Sequence, residues 1–219
     1  MVLLGVRPYE GAHFNQGRET FLIPVVWEED GWLRVDNENG LVNRYERRPD
    51  LPFFRAKPEV SSDNFESAKL ALRWNTIHPA EKQFYSLSAR PGCQRLSLLP
   101  EVLNEICTPA FIGRRQQHKI FRLKTAMDFV PANEHEEAGL ALIQDDRFHY
   151  RFTVSLENGA RTLTVSVCQK HEYTVLGKAI LPAHGRIYLS VTASDEGYDF
   201  YYGMDDQELI PVFTGADPT

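Results

Sequence analysis

Hydrophobic and polar residues alternate with a period of two along much of the chain after residue 120. One run has apolar residues at every second position from Phe148 to Val154, with polar residues such as His149 and Arg151 between them. Similar runs occur at 121–129, 162–167, 187–193 and 198–202. Successive side chains of a strand point to opposite faces, so the pattern predicts β-strands with one buried face and one polar face.

Turn residues separate these runs. The clearest signal is Asn158-Gly159, because this dipeptide between two alternating segments favours a tight hairpin. Asp145-Asp146, His184-Gly185 and Glu196-Gly197 mark further turns. No long segment keeps the period of a helix. Many short, evenly spaced strands predict an all-β fold, and their polar outer faces favour a sandwich of two antiparallel sheets.

The first 48 residues have a different pattern. Strand-like runs at 20–28, 32–35 and 41–45 are separated by polar turns. They predict a meander of short antiparallel strands that is too small to bury a core by itself.

A proline-rich segment follows at 49–62. Pro49, Pro52 and Pro58 lack the amide hydrogen that a sheet needs and hold the chain extended, which is typical of a linker. We therefore divide the chain into a meander at 1–48, a linker at 49–62 and a sandwich at 63–219.

Composition adds limits on function. The 219 residues include 24 Lys and Arg against 30 Asp and Glu, a net charge of −6 at pH 7. This balance argues against general binding to nucleic acid or to an anionic membrane. The early apolar run at 1–6 is too short for a signal peptide core or a membrane span. We expect a soluble protein, whose cellular location the sequence leaves open.

The three cysteines are too few for a disulfide framework. Cys93 and Cys107 are compatible with one bridge, but three independent thiols, including Cys168, are the favoured interpretation.

Motifs for metal binding and nucleophilic catalysis are missing from the sequence. The seven histidines are scattered without ligand spacing, and His149 is expected to be solvated on the polar side of its strand. Asp63 is compatible with a structural calcium ion, although a turn cap is the favoured role. No metal or cofactor is therefore predicted.

The segment 11–20 is the one stretch that suggests a binding role. Arg18 stands between Gly17 and Glu19 directly before an apolar run, with His13 and Asn15 nearby. An arginine held by a glycine turn can donate hydrogen bonds to sugar hydroxyls or orient a carboxylate. The alternative is a surface ion pair between Arg18 and Glu19.

Residues 7–32 resemble the final blade of the five-bladed catalytic β-propeller of glycoside hydrolase family 43. The string Gly-Arg-Glu-Thr-Phe at 17–21 is typical of the branch of β-xylosidases and α-L-arabinofuranosidases. The rest of the chain is similar to the concanavalin A-like sandwich, or jelly roll, that follows this propeller. The matching segments are 63–65, 72–75, 85–87, 90–92, 95–96, 111–118 and 137–140, in that order.

The resemblance implies an enzyme region that acts on terminal xylose or arabinose of plant-wall oligosaccharides. Such inverting hydrolases use a carboxylic acid and a carboxylate base about 6.5–9.5 Å apart. In the family these groups lie on earlier blades, so the resemblance implies that this chain carries no catalytic residue. Of the family's active-site residues only one arginine carries over, onto Arg18, which would face the sugar pocket.

Two interpretations of function follow. In the first, the chain is an accessory sandwich that braces the catalytic propeller of a glycosidase, with a xylose- or arabinose-containing oligosaccharide as the enzyme's substrate. Under this interpretation the chain is a fragment, and the sandwich is expected to be truncated at its C-terminus. In the alternative, it is a stand-alone carbohydrate-binding module that uses aromatic residues such as Trp74 and Tyr201.

Overall fold

Strands are the only regular secondary structure in the residues described by a computed structural model, which are 1–8, 14–58, 60–79 and 82–218. Within these ranges no apolar helix is present that could cross a membrane. The protein consists of two compact units, Met1–Asp63 and Asn64–Thr219. The prediction of an all-β chain is therefore confirmed.

The first unit contains two small antiparallel sheets. In one, β1 (Val2–Gly5) pairs with β2 (Glu19–Leu22). In the other, β3 (Val25–Trp27) pairs with β4 (Leu33–Val35). The prediction of one continuous strand over 20–28 is wrong, because Pro24 interrupts it and has no amide hydrogen to donate.

The strand predicted at 41–45 is absent. Asparagine side chains hold this segment as a loop instead. The Asn37 side chain donates to the Leu41 carbonyl at 2.7 Å and accepts from the Gly40 amide at 2.8 Å. Asparagine competes in this way with regular backbone pairing, and here the local hydrogen bonds replace a strand.

The second unit is a sandwich with a short two-stranded sheet before it, formed by β5 (Tyr85–Ser86) and β6 (Arg95–Leu96). One main sheet has the strand order β11-β10-β9-β8, and the other has the order β14-β13-β12-β7. Their strands are β7 (Phe121–Met127), β8 (Ala138–Ile143), β9 (Phe148–Glu157), β10 (Ala160–Gln169), β11 (Glu172–Ile180), β12 (Ile187–Ser194), β13 (Gly197–Gly203) and β14 (Ile210–Ala216). All pairings are antiparallel, as predicted.

The core of the second unit lies between the two main sheets. Phe152 of β9 packs edge-on against Phe200 of β13, with ring centroids 5.4 Å apart. The alternation predicted from the sequence places the correct side chains inside. The completely or almost completely buried residues include Val154, Leu163, Val165, Leu189 and Val191.

Tight turns join the central strands. Asn158 and Gly159 adopt φ angles of 49° and 77°, which form the predicted two-residue hairpin turn between β9 and β10. Lys170 and His171 also have positive φ angles, 53° and 72°, in the turn between β10 and β11. The sequence analysis did not indicate this second turn, because Lys-His is not among the glycine-, proline- or asparagine-containing pairs that mark turns.

Candidate functional site around Arg18

Arg18 lies immediately before β2, at the end of the glycine turn that the sequence analysis singled out. Gly17 has a φ angle of +70°, a left-handed conformation that a residue with a side chain adopts at a cost. The chain becomes extended at Glu19, where β2 begins. The glycine therefore determines how Arg18 enters the strand. His13 lies outside the described residues.

An ion pair on the neighbouring residue fixes this strand entry. Arg7 donates from Nε to Glu19 Oε2 at 2.6 Å and from Nη2 to Glu19 Oε1 at 2.8 Å. The same Nη2 donates to Gln16 Oε1 at 2.7 Å. The hydrogen bond to Glu19 raises the pKa of Arg7. Because a bidentate pair constrains both side chains, it ties the start of β2 to the residues that follow β1.

The pairing of Glu19 with Arg7 replaces the surface pair between Arg18 and Glu19 that was the alternative to a binding role. Within the described ranges, the Arg18 side chain is exposed and takes part in no hydrogen bond or ion pair. Its guanidinium group carries five donors and a permanent charge. Chemically, this arrangement can bind hydroxyl groups or a carboxylate, but it cannot transfer a proton.

Two carboxyl groups, those of Asp128 and Asp145, have a lowered pKa, the opposite of what a general acid needs. Such an acid needs a raised pKa, so that it is protonated near neutral pH. Hydrogen bonds from Arg186 and Arg90 instead lower the pKa of Asp128. Burial raises the pKa of Asp145, but hydrogen bonds from Arg147 and backbone amides outweigh this effect and lower it overall.

His149 contradicts its expected position in solvent, because only 3% of the residue is exposed. Its Nδ1 donates to the Asp145 carbonyl at 3.2 Å, and its Nε2 accepts from the Tyr173 hydroxyl at 2.8 Å. Burial lowers the pKa of His149 and raises that of Tyr173 to about 12. The ring is thus a buried, neutral, hydrogen-bonded residue.

An arginine completes the polar cluster around His149. The Arg151 guanidinium lies 3.6 Å from the centroid of the Tyr173 ring, and its Nη1 donates to Glu137 Oε1 at 2.6 Å. The sequence analysis missed this cluster because strand alternation only assigns these residues to the polar face. It does not reveal that Tyr173, on the unpredicted strand β11, covers His149.

The remaining candidates are not brought together. Trp74 is half-buried against Phe65, with ring centroids 5.4 Å apart. Tyr201 is half-buried, and its hydroxyl donates to Asp199 at 3.4 Å. The three cysteines are free thiols. Asp63 is half-buried, and the described residues contain no group of three or more acidic, histidine or cysteine side chains suited to a metal ion.

Comparison with known proteins identifies relatives of both units. The chain is 35% identical over 199 residues to a non-reducing end alpha-L-arabinofuranosidase of Bacteroides ovatus, which covers 91% of this chain and 37% of the relative. A solved structure described as Bacteroides ovatus xyloglucan PUL GH43B has a TM-score of 0.88 at 33% identity, covering 96% of this chain and 42% of that one. A xylan beta-1,4-xylosidase from Bacillus halodurans has a TM-score of 0.90 at 28% identity, covering 99% and 42%.

The chain thus spans about two fifths of the length of these relatives. The sequence profile described as "Beta xylosidase C-terminal Concanavalin A-like domain" matches residues 62–218, which is most of the second unit. This match confirms the concanavalin A-like sandwich. The chain belongs to the family of C-terminal concanavalin A-like domains found in glycoside hydrolase family 43 xylosidases and arabinofuranosidases.

Proposed function

We propose that the chain acts as the accessory C-terminal region of a glycosidase that removes terminal xylose or arabinose from oligosaccharides. In this role the sandwich supports a catalytic propeller, and the first unit contributes to the last blade of that propeller. The catalytic acid and base come from residues outside this chain. A sugar-binding contact comes from Arg18.

The free guanidinium of Arg18 is the observation that carries this proposal. The Arg7–Glu19 pair holds the strand entry while Arg18 itself remains available. Sugar hydroxyls accept hydrogen bonds, and a charged donor strengthens such a bond. A residue whose role was to stabilise the first unit would be expected to make a contact of its own.

The exposed aromatic residues of the first unit support the bracing role. Trp27 is 74% exposed and Trp32 is 76% exposed. Trp27 lies opposite Leu33 in the β3–β4 hairpin. Trp32 lies opposite Glu28, the residue after Trp27, because the Trp32 carbonyl accepts from the Glu28 amide. The two indole rings therefore belong to opposite faces of one two-stranded sheet. A blade between neighbouring blades would bury both faces.

The first experiment measures hydrolysis by the chain itself. Nitrophenyl β-xyloside and nitrophenyl α-L-arabinofuranoside are offered to the purified 219-residue protein. We expect no turnover above the uncatalysed rate. Turnover that disappears when one Asp or Glu is changed to its amide would contradict the proposal, because it would locate a catalytic carboxylate within the chain.

The second experiment tests Arg18. The chain replaces the corresponding C-terminal region of the Bacteroides ovatus relative, and hydrolysis of the arabinofuranoside is measured. We expect Arg18→Ala to lower kcat/KM by about 10–100-fold, the value of one charge-assisted hydrogen bond. Arg34→Ala is the matched control, since Arg34 lies in the same unit and pairs with Glu28 at 2.5 Å. Equal activities of the two variants would remove Arg18 from the binding site.

A further inference from the structure

The linker segment, which we define as residues 47–58, is exposed along its whole length. Each of its twelve residues is exposed to solvent, and none of them belongs to a strand. The Leu51 amide donates to the Pro49 carbonyl at 2.9 Å, a contact within the segment itself. The described part of the chain therefore does not cover this segment.

Three large apolar side chains are concentrated in the middle of the linker segment. Leu51 is 66% exposed, Phe53 is 73% exposed and Phe54 is 87% exposed. The Arg48 guanidinium lies 5.3 Å from the centroid of the Phe53 ring, but it leaves most of that ring in solvent. Flexible linkers are rich in glycine and serine, whereas adjoining exposed apolar residues mark an interaction site. The composition of this segment is therefore that of a contact surface.

The backbone of the linker segment is restricted before any partner binds. Pro49, Pro52 and Pro58 fix their φ angles, and the segment contains no glycine. A restricted segment loses less conformational entropy when it binds than a flexible one does. Extended proline-rich segments are recognised in this way by apolar grooves on other protein surfaces.

The charge of the linker segment narrows the choice of partner. Basic residues outnumber acidic ones four to one between positions 47 and 58, although the whole chain has a net charge of −6. A second copy of the chain would bring two basic segments together, and such like charges repel. A partner with an acidic surface is therefore favoured over a second copy.

We propose that Leu51, Phe53 and Phe54 bind an apolar surface with an acidic rim on the catalytic propeller. This contact rests on the proposed function, in which the propeller comes from outside this chain. The chain spans about two fifths of the length of its relatives, so most of their length is available to form such a surface. The linker segment is then a part of the interface rather than a tether between two bodies.

Hydroxyl-radical oxidation, read by mass spectrometry, tests the contact without any variant. It compares the isolated chain with the fusion in which the chain replaces the C-terminal region of the Bacteroides ovatus relative. The rings of Phe53 and Phe54 should be oxidised several times more slowly in the fusion. Leu72 and Ile106 of the second unit are the internal controls, because they are 100% and 86% exposed, and their oxidation rates should be the same in both proteins.

The outcomes separate this contact from the proposed function. Unprotected phenylalanines in a fusion that hydrolyses the arabinofuranoside would overturn the contact alone. Unprotected phenylalanines in an inactive fusion would overturn the proposed function together with the contact. Protection that develops in the isolated chain as its concentration rises would identify a second copy as the partner, and would also overturn the assignment.

A double variant measures what the contact contributes to stability. Phe53→Ser combined with Phe54→Ser should lower the Tm of the fusion by about 3 °C or more, because the fusion buries both rings. The same pair of changes should move the Tm of the isolated chain by less than about 1 °C, because both rings are exposed there. Leu72→Ser is the matched control and should leave both proteins unchanged. Equally small shifts in the fusion and in the isolated chain would contradict the contact.

Discussion

The two units of the chain have very different interiors. In the second unit, side chains from two four-stranded sheets form one cluster that includes Phe152, Leu163, Val191 and Phe200, all almost completely buried. In the first unit, Ile23 is the one hydrophobic residue among the described positions that is buried to the same degree.

The surfaces of the two units differ in the same sense. Several large aromatic side chains of the first unit are exposed to solvent: Trp27, Trp32, Tyr45, Phe53 and Phe54. Two-stranded sheets are marginal without a surface to pack against, and contiguous exposed apolar area usually marks an interface. The second unit therefore has a large buried core of its own, whereas the first unit, which holds Arg18, buries little apolar surface.

Removing a core phenylalanine should give the largest effect. Phe152→Ala is expected to lower the free energy of unfolding by about 3–5 kcal/mol, because Phe152 is 1% exposed and leaves a cavity between the sheets. Phe53→Ala is the matched change in the first unit, where the ring is 73% exposed, and should cost less than about 1 kcal/mol. Urea unfolding measures both, and similar losses would abolish the distinction between the units.

Two glycines with positive φ angles sharpen the contrast. Gly197 in the second unit has φ +139°, and a Cβ there would lie 2.3 Å from the Ala216 carbonyl oxygen. Gly31 in the first unit has φ +81° with no atom within 4 Å of such a Cβ.

Gly197→Ala therefore combines backbone strain of about 1–3 kcal/mol with a steric clash, whereas Gly31→Ala has the strain alone. Thermal unfolding of the two variants should show the larger drop in Tm for Gly197→Ala. The reverse order would mean that the backbone of the sandwich can yield at this turn.

The buried histidine predicts a pH dependence that belongs to the second unit. Burial lowers the pKa of His149 below its ordinary value of about 6.5, so the unfolded chain binds this proton more readily than the folded chain does. As the pH falls below about 6.5, unfolding should become easier by up to about 1.4 kcal/mol per pH unit, until the folded-state pKa is reached.

His149→Gln should remove this part of the pH dependence in urea unfolding between pH 7 and pH 5. His171→Gln, which changes a histidine whose side chain is about half exposed, should keep it. An unchanged slope in His149→Gln would mean that other groups cause the acid sensitivity.

An ion-pair network should give the smallest effect. Asp128 binds Arg90 and Arg186 and joins the turn before β6 to the end of β7. Its side chain is 36% exposed, so solvent weakens these pairs. Asp128→Asn should cost less than about 1 kcal/mol, and the loss should shrink in high salt. A loss comparable to that of Phe152→Ala would show that surface pairs, rather than the core, stabilise the sandwich.

The regularity of strand pairing decided how much of the sandwich could be predicted from the sequence. Strands β9, β10, β12 and β13 alternate regularly, because one face packs in the core and the other does not. Of the strands in the two main sheets, β8, β11 and β14 were not predicted. The pairing of β11 and β14 is irregular, because the register shifts between Val165 and Ser166 on β10 and again around Phe200 on β13. Bulges of this kind break the period of two on which the prediction depends.

The site was predictable only in part. The glycine turn and the position of Arg18 before a strand follow from the local sequence. The partner of Glu19 could not be predicted in this way. Arg7 lies just after β1, and only the pairing of β1 with β2 brings it close to Glu19. The buried state of His149 was missed for the same reason, since its partner Tyr173 is distant in sequence.

Hydrogen–deuterium exchange of the whole chain, read by mass spectrometry, tests the contrast between the units most directly. Backbone amides of β9, β10, β12 and β13 should be protected by the full free energy of unfolding, because they surround the core. Amides of β1 to β4 should exchange many times faster, since their sheets have two strands each and little buried surface. Equal protection of the two sets would contradict the account, because the first unit would then be as stable as the sandwich.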